Sequence, residues 1–60
     1  SPAGHDYYGA VSEAAVAEAV AEAGAASLRD MGRVMAILRA RHAGALDMGR
    51  AGAMVKARLG

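Results

Sequence analysis

The sequence predicts an all-α fold, a small three-helix module packed as a bundle. Three observations carry that expectation. Apolar residues recur at helical spacing in three separate stretches, with residues that start and stop helices between them. No alternating, β-branched run supports a sheet. The composition is 55% hydrophobic yet has no Phe or Trp, and much of the apolar content is alanine. Such a core brings helices close while burying little area per residue. A chain of 60 residues buries a modest fraction of its surface, so its stability should be marginal.

Residues 1–10 (SPAGHDYYGA) contain a proline and two glycines and show no period. Residues 1–11 therefore read as a flexible linker or a non-native remnant, and residues 12–60 as the folded domain. Tyr7 and Tyr8 are the only aromatics. A tyrosine pair can stack on a base, but a tail is the expected role. His5 and Asp6 have no partners at ligand spacing, so no metal site is expected.

The first helix is expected over 12–23. Ser12 serves as N-cap, and Glu13 sits favourably in the positive first turn. Val11 can pack on Val16 as a hydrophobic staple. Val16, Ala19, Val20 and Ala23 make a narrow apolar face, with Glu18 and Glu22 on the other side. Paired glutamates can perform general acid–base work. Nothing here builds a pocket to shift them, so a solvated face is the better reading. Gly24 ends the helix, and Ala25–Ala26 forces a sharp turn.

The second helix, over 27–42, holds the largest aliphatic side chains. Met31, Val34, Met35 and Leu38 fall at i, i+3, i+4 and i+7, flanked by Leu28 and Ile37. Arg29 and Arg33 point the opposite way. Ser27 is the N-cap, with Asp30 as a capping-box-like partner where Glu or Gln is usual. Arg39, Arg41 and His42 suit the negative end of the helix dipole, and Gly44 can take a left-handed position beyond it. Gly32, Ala36 and Ala40 form a stripe of small residues, which is expected to receive the alanine-rich first helix.

The third helix is expected over 47–59, with Asp47 as N-cap. Ala51, Val55 and Leu59 face inward with Met48 and Met54 beside them, while Arg50 and Lys56 point outward. Arg58 borders the apolar face and can lay its stem along it. Gly49 and Gly52 each cost about 1 kcal/mol relative to alanine. That cost suggests close backbone approach to a neighbour, or tolerance near the chain end. Gly49-Arg50-Ala51-Gly52 echoes part of a phosphate loop, but no strand precedes it and no Gly-Lys-Ser/Thr follows. No Ser/His/Asp or Cys/His set can be assembled, and there is no cysteine. The residues themselves show no enzyme.

The net charge of +1 conceals a division. Residues 1–26 carry four acids and no Lys or Arg, a charge of −4. Residues 27–60 carry seven basic residues against Asp30 and Asp47, a charge of +5. Such asymmetry can mark a surface that faces a polyanion. It can also mean that the two halves attract each other, which is the preferred reading on charge alone. No apolar run approaches the ~20 residues of a membrane span, and no signal peptide is visible. A cytoplasmic protein is the expectation.

Residues 13–59 resemble the C-terminal segment of the GatB/YqeY family. The telling residues are Gly24-Ala25-Ala26-Ser27 and Asp30-Met31-Gly32-Arg33-Val34-Met35, where the family typically reads S-M-K-D-M-G-K-V-M. Leu38, Gly44, Asp47, Val55-Lys56 and Leu59 keep the family spacing, and Gly49-Arg50-Ala51 matches a G-K-A form. Arg29 and Arg33 stand where lysines are usual, preserving charge. Met48 and Arg41-His42 depart from the usual residues at their positions.

This resemblance implies a small helical module, attached to or cut from a larger protein. In the aspartyl/glutamyl-tRNA amidotransferase the B-subunit tail helps hold tRNA. Other parts activate the misacylated tRNA and transfer an amide from glutamine, a carbon–nitrogen ligase reaction. None of that active site lies in this chain, so no catalytic residue and no cofactor is expected, and any enzyme role belongs to a larger assembly. A YqeY-like protein also has an N-terminal helical half, so a C-terminal fragment of one is expected.

Two functions follow. The first is a tRNA-binding accessory module, with Arg29, Arg33, Arg50 and Lys56 as the candidate contacts. Its partners would be tRNA and neighbouring domains or subunits, not a membrane. Three or four phosphate contacts give weak, salt-sensitive, sequence-independent binding. The alternative is a protein-interaction module, with Met48 and Met54 as adaptable contacts.

Overall fold

A computed structural model describes residues 10–44 and 47–60. The expectations placed on residues 1–9, including the linker, the tyrosine pair and His5/Asp6, lie outside the described residues. So do Ala45 and Leu46 of the second connection.

Among the described residues three α-helices form, in the order α1 (Glu13–Ala23), α2 (Met31–Arg41) and α3 (Met48–Leu59). The module is all-α, as the periodicity predicts. Helix α1 begins where Ser12 Oγ accepts from the Ala15 N–H at 3.1 Å. Val11 and Val16 are both buried in the core, where a staple requires them. The helix ends in a left-handed Gly24, φ 61°. Its N–H donates to Ala21 O and the Ala25 N–H donates to Val20 O, each at 3.1 Å. These two bonds make a Schellman closure, satisfying carbonyls that a helix end leaves open.

The second helical stretch differs from expectation at its start. Leu28–Asp30 forms a 3-10 turn, and the α-helix proper begins at Met31. Asp30 explains the tightening. Its Oδ2 accepts from the N–H groups of Ala26 (2.8 Å) and Ser27 (3.2 Å), while Ser27 Oγ accepts from the Arg29 N–H (3.3 Å). This capping box draws the turn back onto the connection from α1. At the far end His42 is the C-cap and donates its N–H to Leu38 O at 2.9 Å. Gly44 follows in the turn at φ 88°.

The N-terminus of α3 corrects one expectation. Asp47 occupies the N-cap position, but its side chain makes no capping hydrogen bond. Its backbone angles (φ −108°, ψ 45°) lie outside the extended region that aims a cap side chain at the first turn. Its carbonyl still accepts the first helical bond, from the Ala51 N–H at 3.1 Å.

The core consists of Val11, Val16, Ala19, Val34, Met35, Leu38, Ala51 and Val55. Val20, Ala23, Met31, Ile37, Met48, Met54 and Leu59 pack around it, partly buried. Helix α2 packs against α1 and α3, and among the described residues Leu38 is the largest side chain excluded from solvent. Leu28, expected at the edge of the apolar face, remains 46% exposed.

The small-residue stripe is a second correction. Gly32, Ala36 and Ala40 are all exposed and do not receive α1. At 100° per residue the stripe centres nearly opposite the arc of Met31, Val34, Met35 and Leu38. A helix buries one arc, and the arc with the larger side chains removes more apolar area from water.

The glycines of α3 need no close approach. A Cβ at Gly49 would meet nothing within 4 Å, and one at Gly52 would make ordinary contact with the methyls of Met31 (3.7 Å) and Met35 (3.9 Å). Gly49→Ala is therefore expected to stabilise the chain by about 0.5–1 kcal/mol in urea denaturation. Gly24→Ala should do the reverse, by about 1 kcal/mol, because its φ of 61° disfavours any side chain. Equal shifts of one sign at both positions would contradict this account.

Candidate functional site

The four candidate cations lie at the start of the second helical stretch and on α3. Arg29 lies in the 3-10 turn and Arg33 in the first turn of α2, both exposed. They head the outer face of α2, on which Gly32, Ala36 and Ala40 follow. Arg33 Nη2 donates to Asp30 Oδ1 at 2.6 Å. Asp30 thus ties the guanidinium to the backbone of the α1–α2 connection, while the Arg33 side chain stays 62% exposed. The Asp30 carboxyl is held below the usual aspartate range. The leading cause is the bond from the Ala26 N–H, then those from Arg33 and the Ser27 N–H.

That shift has a sign. A folded-state pKa below the unfolded value means that the ionised carboxylate stabilises the fold at neutral pH. The contribution is complete above about pH 4 and is lost as pH falls through the lowered folded value. Asp30→Asn should therefore melt at a lower temperature at pH 7. The gap between the two proteins should shrink on acidification, as read by thermal melts at a series of pH values. A constant gap would mean that Asp30 acts by shape alone.

Arg50 and Lys56 are exposed on α3. Six residues apart, they point about 120° away from each other around the helix. Arg50 lines an open cleft of about 380 Å³ together with Glu13, Ala53, Met54, Ala57 and Arg58, and Lys56 does not. Among the four candidates, then, Arg29 and Arg33 share a face, while Arg50 and Lys56 occupy different sides of another helix.

The remaining charges explain much of the acidic–basic division. Arg41 of α2 bridges Glu22 and approaches Glu18 at 3.9 Å, and Arg58 of α3 approaches Glu13 at 3.8 Å. The acids of α1 thus face the cations of the other two helices. Arg41, rather than the candidate Arg33, meets Glu18 and Glu22 of α1, and Arg33 pairs with Asp30 instead. Arg41 and Arg58 were not singled out as partners of α1. For Arg58 a signal existed, because Arg50, Ala53, Met54, Ala57 and Arg58 share one stripe at helical spacing.

Among the described residues, no group of three or more His, Cys, Asp or Glu is placed to hold a metal ion. No helix among them is long and apolar enough to cross a membrane. The arrangement offers cationic contacts and a cleft lined by Ala53, Met54 and Ala57.

No curated protein and no solved structure shows significant similarity to the chain. A family model described as Yqey-like protein matches residues 10–59, which takes in all three helices and the capping box between the first two. The chain belongs to the Yqey-like protein family.

Proposed function

We propose that this chain is a non-catalytic accessory module that holds tRNA by its phosphate backbone, in the cytoplasm and beside the domains or subunits that do the chemistry. The observation that carries this reading is the outer face of α2. Arg29 and Arg33 head it, and the small residues Gly32, Ala36 and Ala40 run along it. A sugar–phosphate backbone can come close to such a surface while two guanidinium groups meet its oxygens. Arg50 and Lys56 on α3 add cationic charge beyond that face. Asp30 offsets one positive charge beside the two arginines, so the contact is weak and salt-sensitive. With no aromatic among the described residues, base reading by stacking has no platform there.

The test is a filter-binding titration with tRNA at two salt concentrations, run beside a melting curve. Arg33→Ala should weaken retention and lower the slope of log K against log salt by roughly 0.9 for duplex-like contact. Its stability should change by less than about 1 kcal/mol, because the Arg33–Asp30 pair is solvent-exposed. No retention of tRNA by the unmutated chain at low salt would remove this reading. A second reading, a protein-docking module, is favoured by the cleft on α3.

A further inference from the structure

The cleft on α3 is chemically unlike the outer face of α2, and the tRNA reading does not use it. Its floor is Ala53, Met54 and Ala57, its cationic walls are Arg50 and Arg58, and Glu13 of α1 closes one side. The five α3 residues fall within a single arc of about 140°. Arg50 and Arg58 stand eight residues apart, about 12 Å along the axis, with the apolar floor between them.

Each feature narrows the ligand. Two alanine methyls and a thioether on the floor call for an apolar body, and the flexible Met54 adapts to its shape. Two arginines two turns apart call for carboxylates at matching spacing, and planar guanidinium suits them. Glu13 would repel the continuous negative charge of a nucleic-acid strand, and such a strand gains nothing from an apolar floor. The Glu13–Arg58 contact, at 3.8 Å, already shows Arg58 facing a carboxylate carried on a helix. That contact is longer than a direct charge-assisted hydrogen bond, so a better-placed carboxylate can displace it.

We propose that this cleft is a docking site for an acidic amphipathic helix of a partner protein. The apolar stripe of that helix lies on Ala53, Met54 and Ala57, and its flanking carboxylates meet Arg50 and Arg58. This is helix-in-groove recognition, with the groove supplied by α3 and the N-terminus of α1. The assignment stands on the cleft and is independent of the tRNA reading.

The test uses the intact chain and a fluorescein-labelled peptide of roughly 15 residues. The peptide carries leucines at i, i+3, i+4 and i+7 flanked by glutamates, and a counterpart has every glutamate replaced by lysine. Fluorescence anisotropy should show the acidic peptide binding at least about tenfold more tightly than the lysine peptide. Arg58→Ala should weaken binding several-fold. Ala57→Glu, at an exposed position, places a negative charge on the floor and should weaken it about tenfold. Glu13→Gln removes the competitor for Arg58 and should tighten binding about twofold. Circular dichroism of each variant separates lost binding from lost folding. The proposal is overturned if the intact chain binds neither peptide at low salt, or binds both equally. It is also overturned if Ala57→Glu leaves peptide binding unchanged, or lowers tRNA retention in its place.

Discussion

Leu38→Ala should leave the chain without a stable fold at ambient temperature. Leu38 is fully excluded from solvent and is the largest side chain so placed among the described residues. It lies on α2, which packs against α1 and α3 more extensively than those two pack against each other. Deleting a buried leucine to alanine costs about 2–5 kcal/mol, the spread reflecting how far the surroundings collapse into the cavity. A domain of this length has roughly 3–9 kcal/mol to lose. Collapse here is limited, because apart from Met35 the neighbouring core is alanine and valine, with short side chains. Nor can a remnant persist in part, since α1 and α2 are 11 residues each and such helices are marginal in isolation. Circular dichroism under a urea gradient should show most helix lost before the transition of the parent protein begins. Leu28→Ala is the control. At 46% exposure its loss should shift the midpoint only slightly, within about 1 kcal/mol. Equal losses from the two substitutions would mean that the core is not centred on α2.

The number and order of the helices, and most of their ends, were legible in the sequence because those signals are local. Ser12 followed by an acidic first turn, Gly24, and Ser27 with Asp30 each specify a bond within a few residues of themselves. The Met31–Val34–Met35–Leu38 period likewise identified the arc that α2 buries. Asp47 shows where such reasoning stops. The residue type is right for a cap, but the backbone angles set by the preceding connection deny its side chain the bond. Arg41 shows a second boundary. Its partners Glu18 and Glu22 lie about twenty residues away in sequence, so the pairing depends on how α1 and α2 cross. Charge blocks announced that the halves attract, but not which cation meets which acid. The candidate contacts were legible only as exposed cations. That Arg33 pairs with Asp30, and that Arg50 lines a cleft with Glu13 of α1, needed the fold.

The exposed stripe on α2 gives the sharpest remaining comparison, between Ala19→Leu and Ala36→Leu. By sequence alone both alanines belong to a contact between α1 and α2. In the structure Ala19 is fully buried and Ala36 is exposed. Ala19→Leu adds three carbons where Val16, Val34 and Leu38 already exclude solvent, so the helices must separate or side chains leave their rotamers. The cost should be about 1–3 kcal/mol. Ala36→Leu adds the same three carbons to open water and should change stability by about 0.5 kcal/mol or less. Urea midpoints with unchanged m-values would report the difference as one of stability rather than of compactness. If Ala36→Leu were the damaging substitution, α1 would lie on the small-residue stripe after all. The same variant also bears on function. A leucine at position 36 stands up from the outer face headed by Arg29 and Arg33, removing no charge. It should therefore weaken tRNA retention in the filter assay while leaving both the fold and the salt slope intact. An effect on retention with the arginines untouched would show that the small side chains of α2 serve close approach. Unchanged retention would confine the contact to the guanidinium groups.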